Sequence, residues 1–197
     1  MDSIQGKQSA LVAVGLQNDV VGPASIFGDG LVRETERRET IRQVNQLADR
    51  VRSAGGKVVW LRLLLDTEDP EPYARIPLLT RALQSGALVD GQEGAELASA
   101  VEVRKDDVVL DHYRPDPFVE SSLAHELGGA ESVIVAGVAT NATVETAFRH
   151  LSAYDFHVIL AEDACAASTP QAHDAAVESM RLFGQVETVG DLTTALG

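Results

Sequence analysis

Thr143 stands in the first turn of an expected helix that follows an apolar, β-branched run from Val133 to Gly137. The first free N–H groups of a helix form an anion site. In open α/β sheets the ligand crevice lies outside the carboxyl ends of the strands. At such a place the Thr143 hydroxyl can serve as nucleophile or hydrogen-bond donor, although a hydroxyl attacks poorly without a base in reach. Its plainer role is structural. His112 follows a second apolar run, Val108-Val-Leu110. Its imidazole titrates near neutrality, which makes it a candidate general acid or base; the alternative is one structural hydrogen bond at a strand end. Asp111 should point to the opposite face of that strand. Arg62 closes a third run and can hold a carboxylate in bidentate fashion, or pair with Asp66 or Asp19 instead. Asp19 is a candidate catalytic carboxylate, although Gln17-Asn-Asp19 also suits a turn that caps and bonds itself. Cys165 lies between Ala164 and Ala166, a setting for packing and not for a reactive thiolate.

The elements that must position these residues alternate along the chain. Strands are expected at 9–15, 57–65, 108–110, 132–137, 157–161 and 185–189. Ile41, Val44, Leu47, Ala48 and Val51 recur at helical spacing and run out at Gly55-Gly56. A helix is expected near Leu78–Leu83. Another should carry Val119, Leu123 and Leu127 on one face, and another should run from Asn141 to Ala153. A last one should open at Pro170 and bury Ala176, Met180 and Phe183. Repeated β–α units with short links imply a single α/β domain over residues 1–197, with helices on both faces of a parallel sheet.

Composition narrows the partners. The chain of 197 residues carries 30 acidic against 16 Lys and Arg residues, a formal charge of −14. That argues against a nucleic-acid or anionic-membrane partner and leaves a small-molecule ligand. No apolar run approaches the roughly 20 residues of a membrane span. The N-terminal residues Met1 to Gln8 lack a signal-peptide core. The single Cys165 cannot form an internal disulfide, which fits a cytoplasmic protein. One Cys among five scattered His gives no zinc-type spacing, so neither metal nor cofactor is expected.

Four segments resemble the isochorismatase-like, or cysteine hydrolase, superfamily. They are Ala10 to Asp19, Lys57 to Arg62, Asp107 to Phe118, and Gly137 to Glu145, with Asp163 to Ser168 and His173 continuing the likeness. The resemblance implies a six-stranded, mostly parallel Rossmann-like sheet, a non-proline cis peptide at Val138-Ala139, and homo-oligomers. It also implies an Asp base, a Lys partner and a Cys nucleophile. This sequence has Gly15, His112 and Thr143 at those three positions. Gly15 has no side chain to move a proton, so both the thiol chemistry and the vinyl-ether chemistry of the family lose their acid. The nicotinamidase-type metal cluster is also missing, with only Asp66 as a possible ligand. By this reading Gly15, Gln17, Arg62, Ala139, Thr140 and Asn141 face the substrate. His112 does the acid–base work in an elimination, isomerisation, cyclisation or unusual hydrolysis, with Thr143 and Asp19 as further catalytic candidates. A silent ligand-binding or scaffold protein and a Thr143-dependent hydrolase are the alternatives.

Overall fold

Six parallel strands run in the order β3-β2-β1-β4-β5-β6. They are β1 (Ser9–Val14), β2 (Lys57–Leu63), β3 (Val108–His112), β4 (Ser132–Val138), β5 (His157–Ala166) and β6 (Gln185–Glu187). The computed structural model describes Ile4 and residues 6–154 and 156–196. β1 and β4 are buried at every position, as continuous apolar runs in a parallel sheet should be. The chain builds β2 and β3 on one side of β1, then returns to lay β4 on the other. The order therefore reverses between β1 and β4. Their carboxyl ends form the switch point at which such sheets open a crevice.

Helices cover both faces. Side chains alternate across β1: Leu11 and Ala13 join one core, while Ala10, Val12 and Val14 join the other. The first core is closed by α3 (Thr40–Ser53), through Val44, Leu47, Ala48 and Val51, and by Leu192 of α8 (Val189–Ala195). The second is closed by Phe148 and Leu151 of α6 (Glu145–Ser152) and Met180 of α7 (Pro170–Met180). Each such Val, Leu, Phe or Met side chain, fully buried, contributes about 1.5–3 kcal/mol of transfer free energy. The connections add α1 (Asn18–Val21), α2 (Asp29–Arg37), α4 (Pro77–Gln84) and α5 (Leu123–Glu126).

Several expectations are corrected. The helix proposed through Val119 shrinks to α5, because Glu120 takes a left-handed φ of 57° and breaks the run; Val119 is 42% exposed. Phe183 lies beyond the end of α7 and is 48% exposed, with Arg149 over its ring. The helix expected from Asn141 starts only at Glu145, after a wide turn over Thr140–Val144 in which Asn141 and Ala142 leave helical dihedrals. The strand expected at 157–161 runs on to Ala166 and takes in Cys165. The β4–β5 register slips between Val135 and Gly137, so β5 continues and pairs Cys165 with Gly137. The strand expected to reach Val189 ends at Glu187, and Val189 opens α8.

Candidate functional site

The carboxyl ends of β1 and β4 meet at two glycines. Gly15 follows β1 with φ of 69°, and a Cβ there would sit 2.2 Å from the Val138 carbonyl oxygen. Gly137, opposite Val14, has φ of 112°, and its Cβ would sit 2.1 Å from the Val14 carbonyl oxygen. Both positions need the left-handed backbone and the missing side chain. Beyond them the Val138–Ala139 peptide is cis, as the family resemblance implies.

A cavity of about 330 Å³ opens over this junction. Val20, Phe27, Leu31, Ile76, Leu78 and Leu79 give it apolar lining. His112, Asn141, Thr143, Thr146, Ser168 and Arg81 add polar groups, Arg81 from the same helix as Leu78 and Leu79. The volume lies at the small end of the roughly 300–1,000 Å³ range of ligand pockets, and a mostly apolar lining with a few polar groups is their usual composition.

His112 ends β3 and is 1% exposed. Its Nδ1 lies 2.8 Å from the Arg114 carbonyl oxygen. A carbonyl only accepts, so Nδ1 carries the hydrogen. Nε2 is left with its lone pair and has no hydrogen-bond partner among the described residues. Burial pushes the imidazole pKa below its ordinary value; the Arg114 carbonyl and the charges of Asp111 and Asp116 oppose that without cancelling it. The ring at neutral pH is a neutral base held in one tautomer. The two carboxylates are engaged elsewhere. Asp111 holds Arg62, while Asp116 Oδ2 lies 2.8 Å from Nδ1 of His150, whose ring stacks between Phe118 and Tyr154.

The structure brings together Gly15, Gln17, His112, Ala139, Asn141 and Thr143 around the cavity. It does not bring Arg62, Asp19 or Thr140. Arg62 and Asp111 are register partners on β2 and β3, as are Leu63 and His112 one residue further on. Successive side chains point to opposite faces. Leu63 and His112 line the cavity, so Arg62 points away and gives both ends of its guanidinium to Asp111, at 2.7 and 3.0 Å, and to Glu96 at 2.6 Å. Its partners are neither Asp66 nor Asp19. Asp19 instead accepts the Leu88 amide at 2.8 Å and packs so closely on Gly94 that a Cβ there would overlap its carboxylate.

Gln17 touches the cavity, but its amide is spent. Nε2 donates to the Leu63 and Ala95 carbonyls and Oε1 accepts the Leu63 amide, all at 2.8–2.9 Å. Gln17, Asn18 and Asp19 thus bind the end of β1 to the 88–96 segment. Thr140 is fully buried, with Oγ1 2.9 Å from His173 Nδ1. His173 Nε2 faces the Glu162 carboxylate at 3.4 Å and must donate, so Nδ1 accepts the Thr140 hydroxyl hydrogen. Glu162 also holds Arg38 at 2.8 Å. This chain fixes the turn beneath the cavity and commits the Thr140 hydroxyl hydrogen to His173.

Sequence reasoning missed Arg81, Thr146 and Ser168. Arg81 was legible in part: it follows Leu78 by three positions on α4, and residues at that spacing share a helix face. Cys165 is fully buried, and burial pushes its thiol up to about 12, so it offers no thiolate. The residues near Asp66 do not fit a metal. Its carboxylate accepts the Glu68 amide, and among the described residues no three His, Cys, Asp or Glu side chains converge to hold an ion.

A parallel sheet of this order with a ligand-sized cavity at its switch point defines a Rossmann-like α/β protein. The isochorismatase domain family matches residues 9–191, and the chain belongs to that family. It is 26% identical over 185 residues, 90% of each chain, to a probable inactive nicotinamidase from Arabidopsis thaliana. It is 23% identical, over the full length of both, to the uncharacterized isochorismatase family protein YecD of Escherichia coli O157:H7. A cysteine hydrolase from Pseudomonas syringae pv. phaseolicola shares the fold with a TM-score of 0.85 at 20% identity, covering 100% of this chain and 97% of the other. Among the described residues no helix is long and apolar enough to cross a membrane.

Proposed function

We propose that this chain is a small-molecule enzyme on an altered isochorismatase scaffold, with His112 as general base. One observation carries the reading. His112 is buried at the cavity wall, its Nδ1–H is tied to Arg114, and its Nε2 lone pair is free. A neutral imidazole fixed in that tautomer accepts a proton from a ligand carbon, hydroxyl or water and returns it elsewhere. This fits an elimination, isomerisation or cyclisation. Acyl transfer through Thr143 is less well supported, because among the described residues no hydrogen bond joins its hydroxyl to His112 Nε2 or to another base.

The test is turnover in deuterated water, followed by proton NMR on a panel of small carbonyl compounds and organic acids. His112→Ala should cut exchange or turnover about 10²-fold or more while the protein stays folded. His112→Lys, the family residue, should not rescue it, since an ordinary Lys with a pKa of about 10.4 is protonated at neutral pH. Full turnover in His112→Ala with loss in Thr143→Ala would replace this reading with acyl transfer. A second reading, a silent ligand-binding protein, is favoured by the mostly apolar walls and by Gly15, which leaves no room for the family acid. Ligands that bind and are never altered would establish it.

A further inference from the structure

Arg81 lines the cavity from α4, and its guanidinium makes no hydrogen bond or ion pair among the described residues. Among the described residues Arg33, Arg50, Arg75 and Arg181 also form no ion pair, but none of them lines this cavity. Acidic residues outnumber Lys and Arg by 30 to 16, and Arg38, Arg52, Arg62 and Arg149 each hold a carboxylate. Yet among the described residues no Asp or Glu lines the cavity, and its charged or titratable lining groups are Arg81 and His112. A permanent cation without a carboxylate partner, beside apolar side chains, attracts an anion.

We infer that the cavity takes a small carboxylic acid with an apolar body, and that Arg81 binds its carboxylate. The inference rests on the reading of this cavity as the ligand site. A guanidinium matches a carboxylate through two parallel N–H donors. The apolar lining of Phe27, Leu31, Ile76 and Leu79 takes the hydrocarbon part, and the free hydroxyl and amide groups of Thr143 and Asn141 take a further polar substituent. One permanent cation balances one negative charge, so a monoanion fits better than a dianionic phosphate ester. The volume of about 330 Å³ suits a ring-sized or short-chain acid, not a nucleotide. Arg81 is a binding residue in this scheme and also sets specificity. With the carboxylate on Arg81, the body of the ligand occupies the cavity that His112 also lines.

The test is titration calorimetry with benzoate, cyclohexanecarboxylate and hexanoate, each against its primary amide, together with phenyl phosphate. At least one acid should bind about tenfold or more tightly than its amide, in line with a charge-assisted hydrogen bond, and tighter than phenyl phosphate. Arg81→Gln should bring that acid down to the level of its amide without changing the amide. Arg81→Lys should recover only part of the difference. Added salt should weaken the acid and spare the amide. Arg81 is exposed on its helix, so both variants keep the fold. Acids that bind no better than amides, unchanged binding in Arg81→Gln, preference for phenyl phosphate, or no binding by any acid would each overturn the inference. These results are separable from the acid–base reading. Acids that bind through Arg81 but whose turnover ignores His112 would leave this inference standing and remove the other. Amides and acids that react through His112 with no role for Arg81 would do the reverse.

Discussion

His112 combines burial with a free acceptor, and the combination has a consequence for stability. Its folded pKa is lowered, chiefly by burial. The unfolded chain therefore binds a proton more readily than the folded one, and stability rises with pH wherever that difference operates. The contribution is fully present above the unfolded imidazole value of about 6.5 and is lost as pH falls through the lowered folded value. Urea midpoints should thus decline as pH falls below about 6.5, ahead of the ordinary range of Asp and Glu. His112→Gln should flatten that slope, since the amide carries no proton equilibrium and can still donate to the Arg114 carbonyl. Parallel slopes for the two proteins would show that His112 is not the group held neutral. In the same window turnover should rise with pH and level off near neutrality, because only the neutral ring accepts a proton.

At the scale of elements, the end of β1 is adapted to glycine and the adaptation is now structural. Gly15 has a left-handed φ, and any Cβ would meet the Val138 carbonyl at 2.2 Å. Gly15→Ala should cost at least about 2 kcal/mol, within the range for strained backbone and overpacked sites. That corresponds to roughly 4–8 °C in Tm for a chain of this size. Gly15→Asp, which puts a carboxylate where the family resemblance implies one, should be no more stable and should not create amidase activity. A Gly15→Asp protein with wild-type Tm in a thermal melt would mean that β4 yields easily, and the lost acid could then return.

The sequence made this much of the elements legible, and the failures have identifiable causes. The parallel strands read clearly because burial on both faces makes continuous apolar runs, and α3 read clearly because five apolar positions repeat at helical spacing. The α2 helix went unseen because a charged run surrounds its one buried aliphatic residue, Leu31. The α8 helix was hidden by Gly190 and two Thr, all poor helix formers. Glu120 and Ala142 broke helices through backbone dihedrals that no spacing rule registers. For the site, strand ends and the family likeness pointed to His112, Thr143, Asn141 and Gly15, which line the cavity. Arg62 was misplaced for a reason of parity: it is register partner to Asp111, and the alternation that turns Asp111 away from the cavity turns Arg62 away too. Thr140 and Asp19 are polar residues whose partners, His173 and the Leu88 amide, come from distant segments that only folding brings near.

For the whole molecule, the expected outcome is a family member without the family's ordinary activities. Nicotinamide, carbamoyl amides and isochorismate should not be turned over above background. Three departures act together. Gly15 supplies no proton donor, His112 stands where a permanently charged Lys is implied, and Thr143 offers a hydroxyl in place of a thiol. The one thiol in the chain, Cys165, is sealed within β5 and held protonated by burial. Groups that act as a unit lose most of their effect when any one is gone. Thr143→Cys alone should therefore stay inactive in an ammonia-release assay with nicotinamide. Adding His112→Lys should not help, because the acid is still missing at Gly15. The backbone around Gly15 resists its return, so even the triple substitution should fall far short of the roughly 1–10³ s⁻¹ of ordinary enzymes. Ammonia release at such rates by the unaltered protein, free of contaminating amidase, would show that another residue replaces the lost acid. It would also move the search for the catalytic centre away from His112.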